Sequence, residues 1–113
     1  MSNLASSDIR KLERRSEEVA AILALMANPV RLRILCLLAK QEMQVGALAG
    51  AVGLSQSALS QHLAKLRAGG AVETRRDRQA IHYRLADGEV RAIMASLYEI
   101  FCKPLEAATD ERS

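Results

Sequence analysis

Residues 53–67 read GLSQSALSQHLAKLR. With each residue advancing about 100° around a helix, Leu59, Leu63 and Leu66 share one narrow sector, so the stretch is a helix with a single apolar stripe. Gln56, Ser57, Ser60, Gln61 and Ala64 gather on the opposite side. A face meant only for water draws on Glu and Lys, which tolerate helical geometry better than Ser. Small hydroxyls and amides without a carboxylate suit base edges in the DNA major groove instead, where Gln pairs bidentately with adenine and Ser with several bases. Lys65 and Arg67 flank this face and suit phosphates, which set register rather than sequence preference. Ser55 is the expected N-cap, and Gly69 and Gly70 close the helix after Ala68.

Working outward, VGALAGAV (45–52) is a short Ala-rich helix, joined to the first by a turn at Gly53 and Leu54. Downstream, AVETRR (71–76) and QAIHYRL (79–85) alternate apolar and polar residues about Arg76 to Arg78, which is a hairpin. Val72 and Thr74 are expected on one face, with Ile81, Tyr83 and Leu85 lining theirs. Two helices with a tight Gly-containing turn, then a basic hairpin, is the order of a winged helix-turn-helix: mainly α with a small β-hairpin. Arg75, Arg76 and Arg78 then form a wing that reaches the minor groove or phosphates; the plainer alternative is a charged, solvated hairpin tip. His62 lies beside the leucine stripe and reads as a packing or phosphate-adjacent residue, structural rather than a ligand, and His82 as a strand-surface residue.

Before this unit, Leu12, Val19, Ile22, Leu23 and Met26 recur at helical spacing from about Ile9 to Met26. Asn28 caps the next helix with Pro29 in its first turn. VRLRILCLLAK (30–40) is apolar nearly all round, the pattern of a buried helix. Asp87 is the expected cap of a last helix carrying Val90, Ile93, Met94, Leu97 and Phe101, which stops near Pro104. Residues 1–8 and 106–113 read as mobile tails around one domain at 9–105.

The chain of 113 residues suits one domain. Its 50% hydrophobic and 26% charged residues are the balance of a folded chain rather than a disordered one. The run VAAILALMANPV is broken by Asn28 and Pro29 short of a membrane span, and no export signal opens the chain. A cytoplasmic protein with no membrane association is expected. The formal charge is +3, but it is concentrated. Lys65, Arg67, Arg75, Arg76, Arg78 and Arg84 face only Glu73 and Asp77 between residues 65 and 84, the footprint of a polyanion-binding surface.

Other functions fit less well. A thiol enzyme needs a low-pKa cysteine near His or at a helix N-terminus, and neither Cys36 nor Cys102 has that neighbourhood or a C-x-x-C motif. Single strands and RNA favour stacking platforms, whereas the aromatics here are two Tyr and one Phe. A protein-interaction module using the amphipathic end helices without DNA is a further alternative. With two His and two Cys apart in sequence, no borderline-metal cluster is expected, and no cofactor is called for.

ANPVRLRILCLL (27–38), LSQSALSQHLAKLR (54–67), VETRRDRQAIHYRL (72–85) and LYEIFC (97–102) together resemble the ArsR-type repressors, and within them the HlyU/BigR/SqrR branch, over about residues 15 to 103. The resemblance implies a homodimeric winged helix-turn-helix regulator on an inverted-repeat operator in double-stranded DNA, with the first and last helices building the dimer and the helix at 55–68 reading bases. Independently, one reading helix touches few bases, and twofold pairing doubles them. Metal-sensing relatives carry cysteines on the helix before the reading helix or histidines on the last. MQVGALAGAV (43–52) and the last helix lack both.

Two cysteines in a cytosolic chain do not make a disulfide framework. Read alone, Cys36 and Cys102 are either small buried hydrophobes or a redox pair. The resemblance implies the second: thiols that sense reactive sulfur species and join through a di- or polysulfide bridge, weakening DNA binding. A direct disulfide needs Cα atoms roughly 4.4–6.8 Å apart, and extra sulfurs would span a wider gap. Some members of the branch respond to peroxide instead, and some raise transcription by displacing a silencer.

Overall fold

Asn28 sets where the central helix begins. Its Oδ1 accepts from the N–H groups of Val30 at 2.9 Å and Arg31 at 3.0 Å, satisfying two donors that the first helical turn leaves without partners, while Pro29 has none to lose. The computed structural model describes residues 5–103. It runs α1 (Ser6–Arg14), α2 (Ser16–Met26), α3 (Pro29–Lys40), β1 (Met43–Gln44), α4 (Val45–Val52), α5 (Gln56–Ala68), β2 (Val72–Asp77), β3 (Ala80–Leu85) and α6 (Glu89–Leu97), continued by a π-helical segment at Tyr98–Cys102.

The core lies where α3, α4, α5 and the sheet meet. Ile34, Leu35, Leu48, Leu59, Leu63, Leu66 and Leu85 are fully buried, and Val90 and Met94 of α6 close one side. No polar or charged residue is buried among the described residues. The turn between α4 and α5 depends on Gly53, whose φ of +74° is left-handed and lets the N–H groups of Gly53 and Leu54 both return to the Ala49 carbonyl. Ser55 Oγ then accepts from the Ala58 N–H at 3.1 Å and starts α5. The winged helix-turn-helix is present.

The sheet has three antiparallel strands in the order β1-β3-β2. Val72 pairs with Leu85 and Asp77 with Ala80, so Arg78 and Gln79 form the turn, with Arg78 at φ +60°. The hairpin expectation holds, but β1 was not foreseen. Its two residues pair Met43 with Tyr83 and Gln44 with His82, too short a run for alternation to reveal.

Several boundaries differ from the sequence reading. The single helix expected from Ile9 to Met26 is two, and residues 6–8, assigned to a tail, are helical. Ser16 Oγ donates to the Glu13 carbonyl, a side-chain competitor for the helical ladder, and Arg15 leaves helical geometry at φ −101°, ψ 16°. Arg15 is held there by Glu18 at 2.7 Å and by Glu89 of α6 at 3.3 Å. At the other end Gly88, not Asp87, occupies the cap position of α6; the Asp87 carboxylate pairs with Arg91 at 3.4 Å and Arg84 at 3.9 Å. Phe101 was expected on the core stripe but is 66% exposed, because the segment Tyr98–Cys102 buries none of its residues and runs past the core rather than along it. α3 is buried on one side only: Ile34, Leu35 and Leu38 face the core, while Leu32 and Cys36 are exposed. The expected mobile residues 1–4 and 106–113, and the stop near Pro104, lie outside the described residues.

Replacing Asn28 by Ala removes both cap bonds at once. It is expected to cost about 1 kcal/mol, seen as a fall in Tm of about 4–8 °C at fixed protein concentration; an unchanged Tm would show that Pro29 alone starts α3.

Candidate nucleic-acid interface

The α5 stripe is buried as its spacing requires, with Leu59, Leu63 and Leu66 at 0–1% exposure. That anchoring turns Gln56, Ser57, Ser60, Gln61, Ala64, Lys65 and Arg67 to solvent. The Gln56 amide crosses the start of α4: a Cβ built on Gly46 would lie 3.7 Å from its Nε2. His62 is half-buried, and its Nδ1 is buried without a hydrogen-bond partner among the described residues, consistent with a packing role beside the stripe. The outward face therefore offers amides and hydroxyls with cations beside them and no carboxylate.

Strand alternation divides the charges of the hairpin. Val72, Thr74 and Arg76 share the core side of the sheet with Leu85, Tyr83 and Ile81, while Glu73, Arg75 and Asp77 share the outer side with Arg84 and His82. On that outer side Arg75 binds Glu42, Nη2 to Oε1 at 2.8 Å. The bond to Arg75 holds the Glu42 carboxyl below its ordinary range, outweighing partial desolvation and aided by the charges of Arg75, Arg84 and His82. Arg84 meets Glu73 at 3.2 Å. Of the basic residues singled out in the sequence, Lys65, Arg67, Arg76 and Arg78 make no ion pair with the described residues. Arg75, expected among the groove contacts, is paired with Glu42 on the outer side of the sheet. The sequence could not show this, because Glu42 lies far upstream and reaches Arg75 only through β1.

Between α5 and the sheet is an open cleft of about 480 Å³ lined by Ser60, Leu63, Ala64, Arg67, Ala68 and Tyr83. Tyr83 was read only as an inward strand residue. Its place at this cleft follows from the packing of β3 beside α5, which no local pattern encodes.

Cys36 and Cys102 are both free thiols and both exposed, so the reading of Cys36 as a buried core residue does not hold for the single chain. Packing around the sulfur still removes enough water to push the Cys36 thiol up, and the charge of Cys102 adds to the rise. The two thiols, 66 positions apart in sequence, thus lie within electrostatic reach of each other. Among the described residues no group of three or more His, Cys, Asp or Glu is placed to hold a metal ion.

The family model described as bacterial regulatory protein, arsR family, matches residues 28–74, which takes in α3, β1, α4, α5 and the start of the wing. The chain is 42% identical to the transcriptional activator HlyU of Vibrio cholerae, over 88% of this chain and 92% of that protein. It is 43% identical to the biofilm growth-associated repressor of Agrobacterium fabrum, over 84% and 81%. The structure of reduced HlyU superposes with a TM-score of 0.75 at 44% identity, covering 83% of this chain and 99% of that one. A homodimeric winged helix-turn-helix DNA-binding domain from Mycobacterium bovis superposes with a TM-score of 0.71 at 33% identity, with 95% of each chain covered.

The raised Cys36 thiol has a kinetic consequence. The thiolate is the nucleophile, so a raised value means less of it at neutral pH. Alkylation of Cys36 is expected to rise with pH at a midpoint above that of an ordinary thiol, and Cys102→Ser is expected to lower that midpoint only in part, since desolvation remains. Mass-spectrometric rates per cysteine across pH check this; a Cys36 midpoint at or below the ordinary value would contradict it.

Proposed function

This chain belongs to the arsR family of bacterial regulatory proteins and is a transcriptional regulator, and from that membership we propose that it is a homodimeric repressor released from an inverted-repeat operator when reactive sulfur species join Cys36 to Cys102. One observation carries the DNA-binding part. The outward face of α5 presents Gln56, Ser57, Ser60 and Gln61, with Lys65 and Arg67 on the same helix and Arg76 and Arg78 on the wing making no ion pair among the described residues. Glutamines and serines read base edges, while the cations bind phosphates and fix register.

Exposed apolar surface supports dimerisation. α1 buries none of its residues, Ile9 and Leu12 are 42% and 51% exposed, and Ile100 and Phe101 are more than 60% exposed. Apolar side chains at both ends of one chain are what a second copy would cover. Twofold pairing then places two α5 helices at half-sites about 34–36 Å apart.

The cysteines link these two parts. Cys36 sits on the helix that supports α4 and α5, and Cys102 ends the segment proposed to pack in the dimer. The reaction is a two-electron oxidation. One thiolate attacks a polysulfide sulfur and becomes a persulfide as hydrosulfide leaves. The second thiolate attacks the Sγ of the first cysteine, forming an Sγ–Sγ bridge and expelling the outer sulfur as a second hydrosulfide. Retaining an extra sulfur in the bridge consumes another polysulfide bond. A bridge favours chain geometries that bring α3 and the last helix together. Release follows if these differ from the DNA-bound shape by a few kcal/mol.

A second reading keeps the same surface and changes the sign: the relative from Vibrio cholerae is a transcriptional activator, and an activator that displaces a silencer would use the same contacts. Peroxide forming a plain disulfide is the alternative effector. The cytoplasm is the proposed location; among the described residues no single helix is long and apolar enough to cross a membrane.

Selection from randomised duplex is expected to enrich a palindrome bound in a salt-sensitive manner. Gln56→Ala or Ser60→Ala should weaken that binding about 5- to 100-fold and relax preference at one position per half-site; unaltered preference in both variants would remove α5 as the reader. Cys102→Ser should bind the palindrome normally yet resist release by polysulfide. Intact mass after polysulfide or peroxide treatment counts the sulfurs between Cys36 and Cys102, and release of Cys102→Ser by polysulfide would place the switch elsewhere.

A further inference from the structure

We propose that Tyr83 is a DNA-contacting residue whose phenol hydroxyl binds a backbone phosphate at the cleft between α5 and the wing, alongside Arg67. The inference rests on α5 being the reading helix. Tyr83 sits in the central strand of the sheet, opposite Met43 on one side and Thr74 on the other. Its ring packs against the buried core, so the side chain is held firmly. Its hydroxyl, however, makes no hydrogen bond with any described residue, although a packed phenol normally finds a partner for its O–H.

What surrounds the cleft selects that partner. Ser60, Ala64 and Arg67 of α5 form one wall and Tyr83 the other, and no carboxylate lines it. The acids of the adjoining strand, Glu73 and Asp77, fall on the opposite side of the sheet, while Arg76 continues the Tyr83 side toward the wing tip. A rigid neutral donor beside an unpaired guanidinium, facing away from every nearby acid, fits an anionic oxygen. A helix lying in the major groove is bordered by the two phosphate backbones, and the wing side of α5 meets one of them. Tyrosine hydroxyls are ordinary phosphate donors in such interfaces.

The test uses the full chain with the selected palindrome and a scrambled duplex. Tyr83→Phe keeps the ring and removes only the oxygen. It is expected to weaken binding about three- to tenfold on both duplexes alike, with the dependence on salt unchanged because no charge is lost. Arg67→Gln should instead lower the magnitude of the salt slope by about one. Neutralising single phosphates as methylphosphonates should identify one position per half-site that weakens the wild type but adds nothing further in Tyr83→Phe. Equal affinity of wild type and Tyr83→Phe overturns the assignment and leaves the reading of α5 standing, as does a loss confined to the palindrome or additive losses at every phosphate. Failure of the wild type to retain any duplex overturns both.

Discussion

Burial of three leucines on α5 is the constraint on which the reading surface depends. Leu59, Leu63 and Leu66 sit against α3, α4 and the sheet with almost no exposure, and each such side chain contributes about 1.5–3 kcal/mol when taken from water. Because a helix is rigid, placing that stripe inward leaves no freedom in where Gln56, Ser57, Ser60 and Gln61 point. The polar face needs no partner within the protein to hold it outward. Gly53 and Ser55 complete the arrangement by setting the angle at which α5 leaves α4.

The wing works by a different rule. Its side chains alternate, so consecutive arginines cannot share a job. Arg76 joins the side of Thr74 and Tyr83, while Arg75 joins the side of Glu73 and is drawn to Glu42. That ion pair is exposed and adds little stability; its consequence is positional, tying the hairpin to the segment after α3. Lys65 and Arg67 on α5 and Arg76 and Arg78 on the wing are left without acidic partners among the described residues, available to a phosphate backbone.

The remaining asymmetry lies in what is left uncovered. α3 packs on one side only, α1 buries nothing, and the π-helical segment leaves Ile100 and Phe101 exposed. The proposed second copy would cover this surface, and both cysteines border it. The proposed thiol switch, placed there, would act on the relation between the reading unit and the proposed dimer without touching a proposed DNA contact.

Local pattern was enough for the helix-turn-helix. The leucine spacing, Asn28 with Pro29, Ser55, the glycines and the alternating hairpin each act over a few residues, and periodicities of 3.6 and 2 are written directly into the chain. The polar face of α5 was legible for the same reason. Four features needed the tertiary structure: the two-residue β1, the pairing of Arg75 with Glu42, the place of Tyr83 beside α5, and the electrostatic reach of Cys102 to Cys36. Each joins residues far apart in sequence. A single chain carries no periodic mark for such contacts, because they are decided by how whole elements pack once their own faces have been buried.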